Sequence, residues 1–222
     1  MISVLCLGDF CSWNMDLNII NSICLLSLLL IMESINVLII GGDPEDKKDM
    51  VELVEDASSF FPTEIWDDII YIGKLSLEHD FKIKISRESY GAFLFRRLID
   101  RMKGIKDSTR LVSLLLGITA DPIVTVYHFF DETSFKKAIY LVHDYVNKKV
   151  GVVSLFRVKE DTSSKLVAHG LGHNRGLRHH AEPIDLMYYE LLTAPTLEVD
   201  GFCKLCRRKL RDEKPDLHPH PR

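Results

Sequence analysis

The order of hydrophobic segments predicts an α/β fold in which a mixed sheet and its helices come first and metal-binding elements come last. Three observations carry that reading. Short β-branched or aromatic apolar runs, such as Ile35–Ile40 and Ile123–Phe130, alternate with a helically spaced stripe at Met50, Val51, Val54 and Ala57. With 222 residues, 46% hydrophobic and 27% charged, the chain can bury one core of ordinary size. The C-terminal stretch then gathers His169, His173, His179, His180, Cys203 and Cys206.

Residues 1–31 read apart from the rest of the chain. They hold no Lys or Arg, and the first basic residue of the chain is Lys47. The run from Ile23 to Met32 is apolar except for Ser27 and falls short of the ~20 residues that span a bilayer. Neither a basic n-region nor a small-residue cleavage site is clear. Met32, leading by a polar step into a strand, is a conventional start, so 1–31 read as an upstream mis-start. A membrane-associating segment and an extra structural segment are the alternatives.

From Met32 onward the elements come in order. Ile35–Ile40 is a continuous apolar run closed by Gly41 and Gly42, a buried strand and its turn. Asp46–Phe60 carries the helical stripe. Ile69–Ile72 and Phe81–Ile85 are short strands, the second with Lys82 and Lys84 on a wet face. Ser89–Met102 reads as a helix with Phe93, Leu94, Leu98 and Met102 inward. Arg110–Leu116 is apolar, and Ile123–Phe130 is a strand by composition. Phe135–Tyr145 fits helix or strand equally. Val150–Val158 is a strand, after which Asp161, Thr162, Ser163 or Ser164 is the expected N-cap of a helix through His173. The tail 214–222, with Pro215, Pro219 and Pro221, is expected to be disordered, which leaves 32–213 as the folded domain.

Charge and cysteine usage exclude several roles. Net charge is -4, from 28 basic and 32 acidic residues, so no basic field points to nucleic acid. Five cysteines, an odd number without a framework, argue against a disulfide scaffold. The expected location is cytoplasmic, with membrane association resting on 1–31 alone. Cys203-x-x-Cys206 reads as metal ligands or a redox pair.

The histidine spacing is the most informative pattern. His169 and His173, four apart, share one helix face and can offer imidazoles to one ion. Gly176 can end that helix in a left-handed conformation, because it has no Cβ to clash. The chain then returns with His179 as third ligand, and three imidazoles with an open position make a catalytic-type zinc geometry. Gly170 and Gly172 inside the helix each cost ~1 kcal/mol relative to alanine, which packing alone gives no reason to accept.

This H-x-x-x-H-x-x-G-x-x-H run resembles the metzincin zinc motif, H-E-x-x-H-x-x-G-x-x-H with a methionine turn after it. More closely, residues 166–210 resemble archaemetzincins, which add two cysteines after the third histidine, a methionine, and a C-x-x-C pair. The resemblance implies a metzincin-like twisted mixed sheet, a zinc-binding helix and a C-terminal second-metal subdomain. It also implies zinc at His169, His173 and His179 and a methionine turn at Met187. His180 and Asp185 stand where the family has cysteines, and both are competent zinc ligands. A second zinc, held by His180, Asp185, Cys203 and Cys206, is therefore implied. Val152–Val158 resembles the edge strand on which these enzymes bind extended peptides.

One departure bears on activity. The glutamate after the first histidine is the general base of zinc peptidases, and here that position is Gly170. Loss of a positioned base removes about 10²–10⁴-fold in rate. The expected function is thus a zinc-binding metallopeptidase homologue with weak or no peptidase activity, holding a peptide or protein segment in its cleft. An active zinc hydrolase with an unconventional base such as Glu182, helped by Tyr188 or Tyr189 as a zinc ligand or oxyanion stabiliser, and a metal-binding or structural protein are the alternatives. Gly170→Glu is expected to be tolerated, since it improves helix propensity.

Overall fold

The structure, a computed structural model, describes residues 33–41, 47–131, 134–181, 183–188, 191 and 201–212, all within one compact unit. The expectations placed on 1–31, on Glu182, on Tyr189 and on the tail from Lys214 lie outside these residues. The elements run β1 (Glu33–Ile40), α1 (Lys47–Ser58), β2 (Trp66–Leu75), β3 (Phe81–Ile85), β4 (Glu88–Leu94), α2 (Phe95–Thr109) and β5 (Leu114–Thr119). Then come β6 (Ile123–Asp131), β7 (Ser134–Val142), β8 (Asp144–Val146), β9 (Val150–Ser154), α3 (Glu160–Asn174) and α4 (Lys204–Asp212).

Two sheets result. The larger has the order β2-β1-β5-β9-β8, parallel throughout except for β8, which pairs antiparallel with β9. Ile35 to Ile40 are all buried, as a central parallel strand covered on both faces requires. The strand period of two splits its side chains between two cores. Ile35, Val37, Leu114, Leu116 and Val153 face α1 and α3, where they meet Val54, Leu166, Leu171 and Met187. Leu38, Ile40, Leu115 and Val152 face α2 and meet Leu98 and Met102.

The smaller sheet has the order β3-β4-β6-β7. Beyond Leu94↔Val124, β6 and β7 continue as a two-stranded ribbon that exposes Tyr127, Phe130 and Phe135. Among the described residues, no helix is long and apolar enough to cross a membrane.

Several expectations are corrected. Ser89–Met102 is not one helix: Phe93 and Leu94 lie in β4, and the helix starts at Phe95. Strand pairing overrides the local pattern there, because β4 closes a hairpin with β3 through Ser86 at φ 57 and then pairs with β6. The undecided Phe135–Tyr145 is strand, divided between β7 and β8. The strand expected over Val150–Val158 ends at Ser154, and it is interior. The edge on that side of the sheet is instead β8, so Val152–Val158 is not the edge strand. None of the four expected N-cap residues caps α3. Its cap is Lys159, and Ser163 spends its hydroxyl inside the helix, donating to the Lys159 carbonyl oxygen at 3.0 Å.

Candidate metal centre

Helix α3 carries the first cluster. Glu160 and Asp161 in its first turn complement the helix dipole. Buried Leu166, Val167 and Leu171 anchor it on the sheet, each contributing roughly 1.5–3 kcal/mol, which offsets the cost of Gly170 and Gly172. It ends in a Schellman motif: Gly176, at φ 75, donates to His173 O at 3.0 Å, and Leu177 donates to Gly172 O at 3.0 Å. That turn returns the chain with His179 facing the helix.

The three imidazoles converge. His169 Nε2 lies 2.9 Å from His179 Nε2 and 3.1 Å from His173 Nε2, and the last two are 3.0 Å apart. His169 Nδ1 is 2.6 Å from the Leu186 carbonyl oxygen, and His173 Nδ1 is 3.1 Å from that of Leu177. A carbonyl only accepts, so in His169 and His173 Nδ1 is the protonated nitrogen and Nε2 presents a lone pair. This is the tautomer that backbone carbonyls select in metal-ligating histidines. Three imidazole nitrogens crowded this closely could hold a metal ion, and such a donor set suits zinc. Burial holds His169 down to about 4 and lowers His173 as well, so both stay neutral and ready to ligate.

Packing does account for the two helix glycines, contrary to the expectation from propensity. A Cβ at residue 172 would stand 2.6 Å from Met187 Sδ, and one at 170 would stand 2.8 Å from Val146 Cγ2. Met187, fully buried, therefore lies directly under the helix at Gly172. Gly170→Glu is correspondingly not a free gain: the steric conflict with Val146 opposes the better propensity.

The second cluster joins Asp185, after the turn, to the start of α4. Asp185 is fully buried, accepting from Met187 N at 2.6 Å and from Cys203 N at 2.8 Å. His180 Nε2 is 2.8 Å from Asp185 Oδ2, 3.9 Å from Cys203 Sγ and 3.5 Å from Cys206 Sγ. One ligand atom from each of these four residues falls within 4.8 Å of the others. Burial alone would raise Asp185, but hydrogen bonds from the Cys203 side chain and from two backbone amides hold it below the usual carboxylate range. Burial, then Asp185, pushes both thiols up. A cation would reverse that by stabilising thiolates. Tyr188 bridges its backbone to His180.

Sequence reasoning missed Asp144. From β8 its Oδ2 stands 3.9 Å from His169 Nε2, and its side chain is 16% exposed. Burial raises its carboxyl, against the pull of His173, His179 and His143. The segment Asp144–Lys148 faces His173 and His179 across a groove of about 490 Å³. The available signal was an acid inside an otherwise apolar and aromatic stretch, just ahead of the turn at Asn147.

Among solved structures, the chain superposes on an archaemetzincin from Methanopyrus kandleri with a TM-score of 0.54, covering 82% of this chain and 95% of that one. The fold is archaemetzincin-like. The two sequences are 20% identical, so the likeness establishes the metzincin-like fold, and the chemistry rests on the side chains above. Metalloproteinase-II from Bacteroides fragilis is similar only at a TM-score of 0.41, with 10% identity over 82% of this chain and 53% of that one. No protein-family model matches the sequence, and no curated protein does.

Proposed function

We propose that this archaemetzincin-like chain is a zinc-binding metallopeptidase homologue that holds an extended peptide segment beside the ion. His169, His173 and His179 are its ligands, and the observation that carries the reading is their three Nε2 atoms within 3.1 Å of one another. Zinc bound there would acidify a water molecule and polarise a carbonyl. The chain's own contribution is orientation, with Leu186 O and Leu177 O fixing two of the rings. The antiparallel edge strand β8 flanks the groove, where backbone addition of an extended segment fits. Gly170 leaves the zinc helix without a proton acceptor, so hydrolysis by the helix's own residues is weak or absent. His180, Asp185, Cys203 and Cys206 would hold a second zinc in a closed, structural site.

The decisive experiment is metal analysis of purified protein and of His173→Ala. Loss of one zinc equivalent on substitution supports the reading. A metal content unchanged by His173→Ala rejects the ligand assignment.

A further inference from the structure

We infer that Asp144, delivered by β8, supplies the carboxylate that the zinc helix lacks and is the proton acceptor for an attacking water. The inference rests on zinc at the histidine trio. In the H-E-x-x-H motif the carboxylate projects from residue 170. Here Asp144 Oδ2 lies 3.5 Å from the point where a Cβ of residue 170 would sit, so it occupies space that a longer side chain would cross. It is 3.9 Å from His169 Nε2, and Asp144 shares the groove with His173 and His179. A Cβ at residue 170 would meet Val146 Cγ2 at 2.8 Å, so Val146 keeps that helix position bare while Asp144 stands beside it.

A simpler explanation, that Asp144 pairs with His169 or His173, fits the geometry poorly. At 3.9 Å the contact is not a hydrogen bond. The His169 and His173 ring protons sit on Nδ1, against backbone carbonyls, leaving no proton on Nε2 to give. The Asp144 carboxylate has no hydrogen-bond partner among the described residues, yet its side chain is mostly buried, a costly state for a carboxylate without a task. The position is also fixed. Asp144 pairs with Val153 in the β8–β9 ladder, and α3 packs against β8, which holds the side chain over the helix.

The step balances with these groups. The water oxygen bonds to the peptide carbonyl carbon while one water proton passes to Asp144. The tetrahedral carbon then releases the amine as its C–N bond breaks, and Asp144 returns that proton to the departing nitrogen. One water is consumed, an acid and an amine are released, and Asp144 ends ionised as it began.

The test compares zinc-loaded wild type with Asp144→Asn. Three quantities are measured: zinc content, the affinity for acetohydroxamate by calorimetry, and cleavage of a peptide library. Acetohydroxamate chelates zinc while donating its O–H to a neighbouring carboxylate. Asp144→Asn should therefore keep its zinc but bind acetohydroxamate roughly ten- to a hundredfold more weakly, the loss of one hydrogen bond to a charged acceptor. Peptide cleavage should fall by about 10²–10⁴-fold from the wild-type rate. Full zinc with wild-type acetohydroxamate affinity in Asp144→Asn overturns the inference while leaving the zinc reading intact. Loss of zinc from that variant overturns it differently, by making Asp144 a ligand. A wild type that binds no zinc at the trio sinks the underlying reading and this inference with it.

Discussion

Gly172 carries a structural burden that its neighbours in the motif do not reveal. Met187 Sδ would be 2.6 Å from a Cβ there, with Phe202 Cε1 at 3.3 Å and Leu177 Cδ1 at 3.5 Å closing the side chain's retreat. Gly172→Ala should thus lower stability by about 1–3 kcal/mol in urea unfolding, despite alanine's better helix propensity. An unchanged midpoint would mean that Met187 yields freely. His169 gives the second residue-scale prediction. Its folded-state pKa is held near 4 by burial, below the ordinary 6.5. Above 6.5 both the folded and unfolded forms are neutral, and the group contributes nothing. As pH falls from 6.5 toward about 4, the unfolded chain takes up the proton first, so folded stability is lost through that window. Metal-free protein should show this loss in melting temperature between those limits, and His169→Phe should reduce it, leaving the part due to His173.

At the scale of elements, α4 and the turn at Asp185–Tyr188 depend on each other. The turn is tied to α4 through Asp185, which accepts from Met187 N and Cys203 N, while Leu186 N donates to Gly201 O at 3.0 Å. A zinc at His180, Asp185, Cys203 and Cys206 would close this link and contribute folding energy rather than chemistry. Cys203→Ser should lower the melting temperature by roughly 5–10 °C, at about 2–4 °C per kcal/mol for a chain of this size. It should also release one zinc and leave the histidine trio loaded. Freely reactive thiols with only one zinc in the wild type would dismiss the second site. The Schellman turn at Gly176 is a parallel case on α3, and it was legible in the sequence because only glycine adopts φ 75 without strain.

For the whole molecule, the larger sheet is built around β1, which begins at Glu33. A chain of residues 32–222 should therefore fold with the zinc content and melting temperature of the full chain. A fall of several degrees in the shorter chain would assign residues 1–31 to the core. The architecture was partly readable from periodicity. β1, α1, β3 and β6 stand close to where their apolar patterns put them, because local pattern and tertiary pairing agree there. Residues 89–94 went the other way, since ladder bonds to β3 and β6 outweighed a helical stripe that really begins at Leu98.

The sequence by itself determined the zinc-helix motif, the left-handed turn at Gly176, the set of metal-competent side chains and the absence of a carboxylate at residue 170. Each is a matter of residue type at a local spacing, which a helix or turn converts directly into position. Only the tertiary structure decided that β8 rather than Val152–Val158 is the sheet edge. It also decided that Gly170 and Gly172 yield to Val146 and Met187, and that Asp144 stands over the histidines. These depend on contacts between segments many residues apart, Asp144 with His169 and Gly172 with Met187. Their geometry exists only after the sheet has closed and α3 has packed against it.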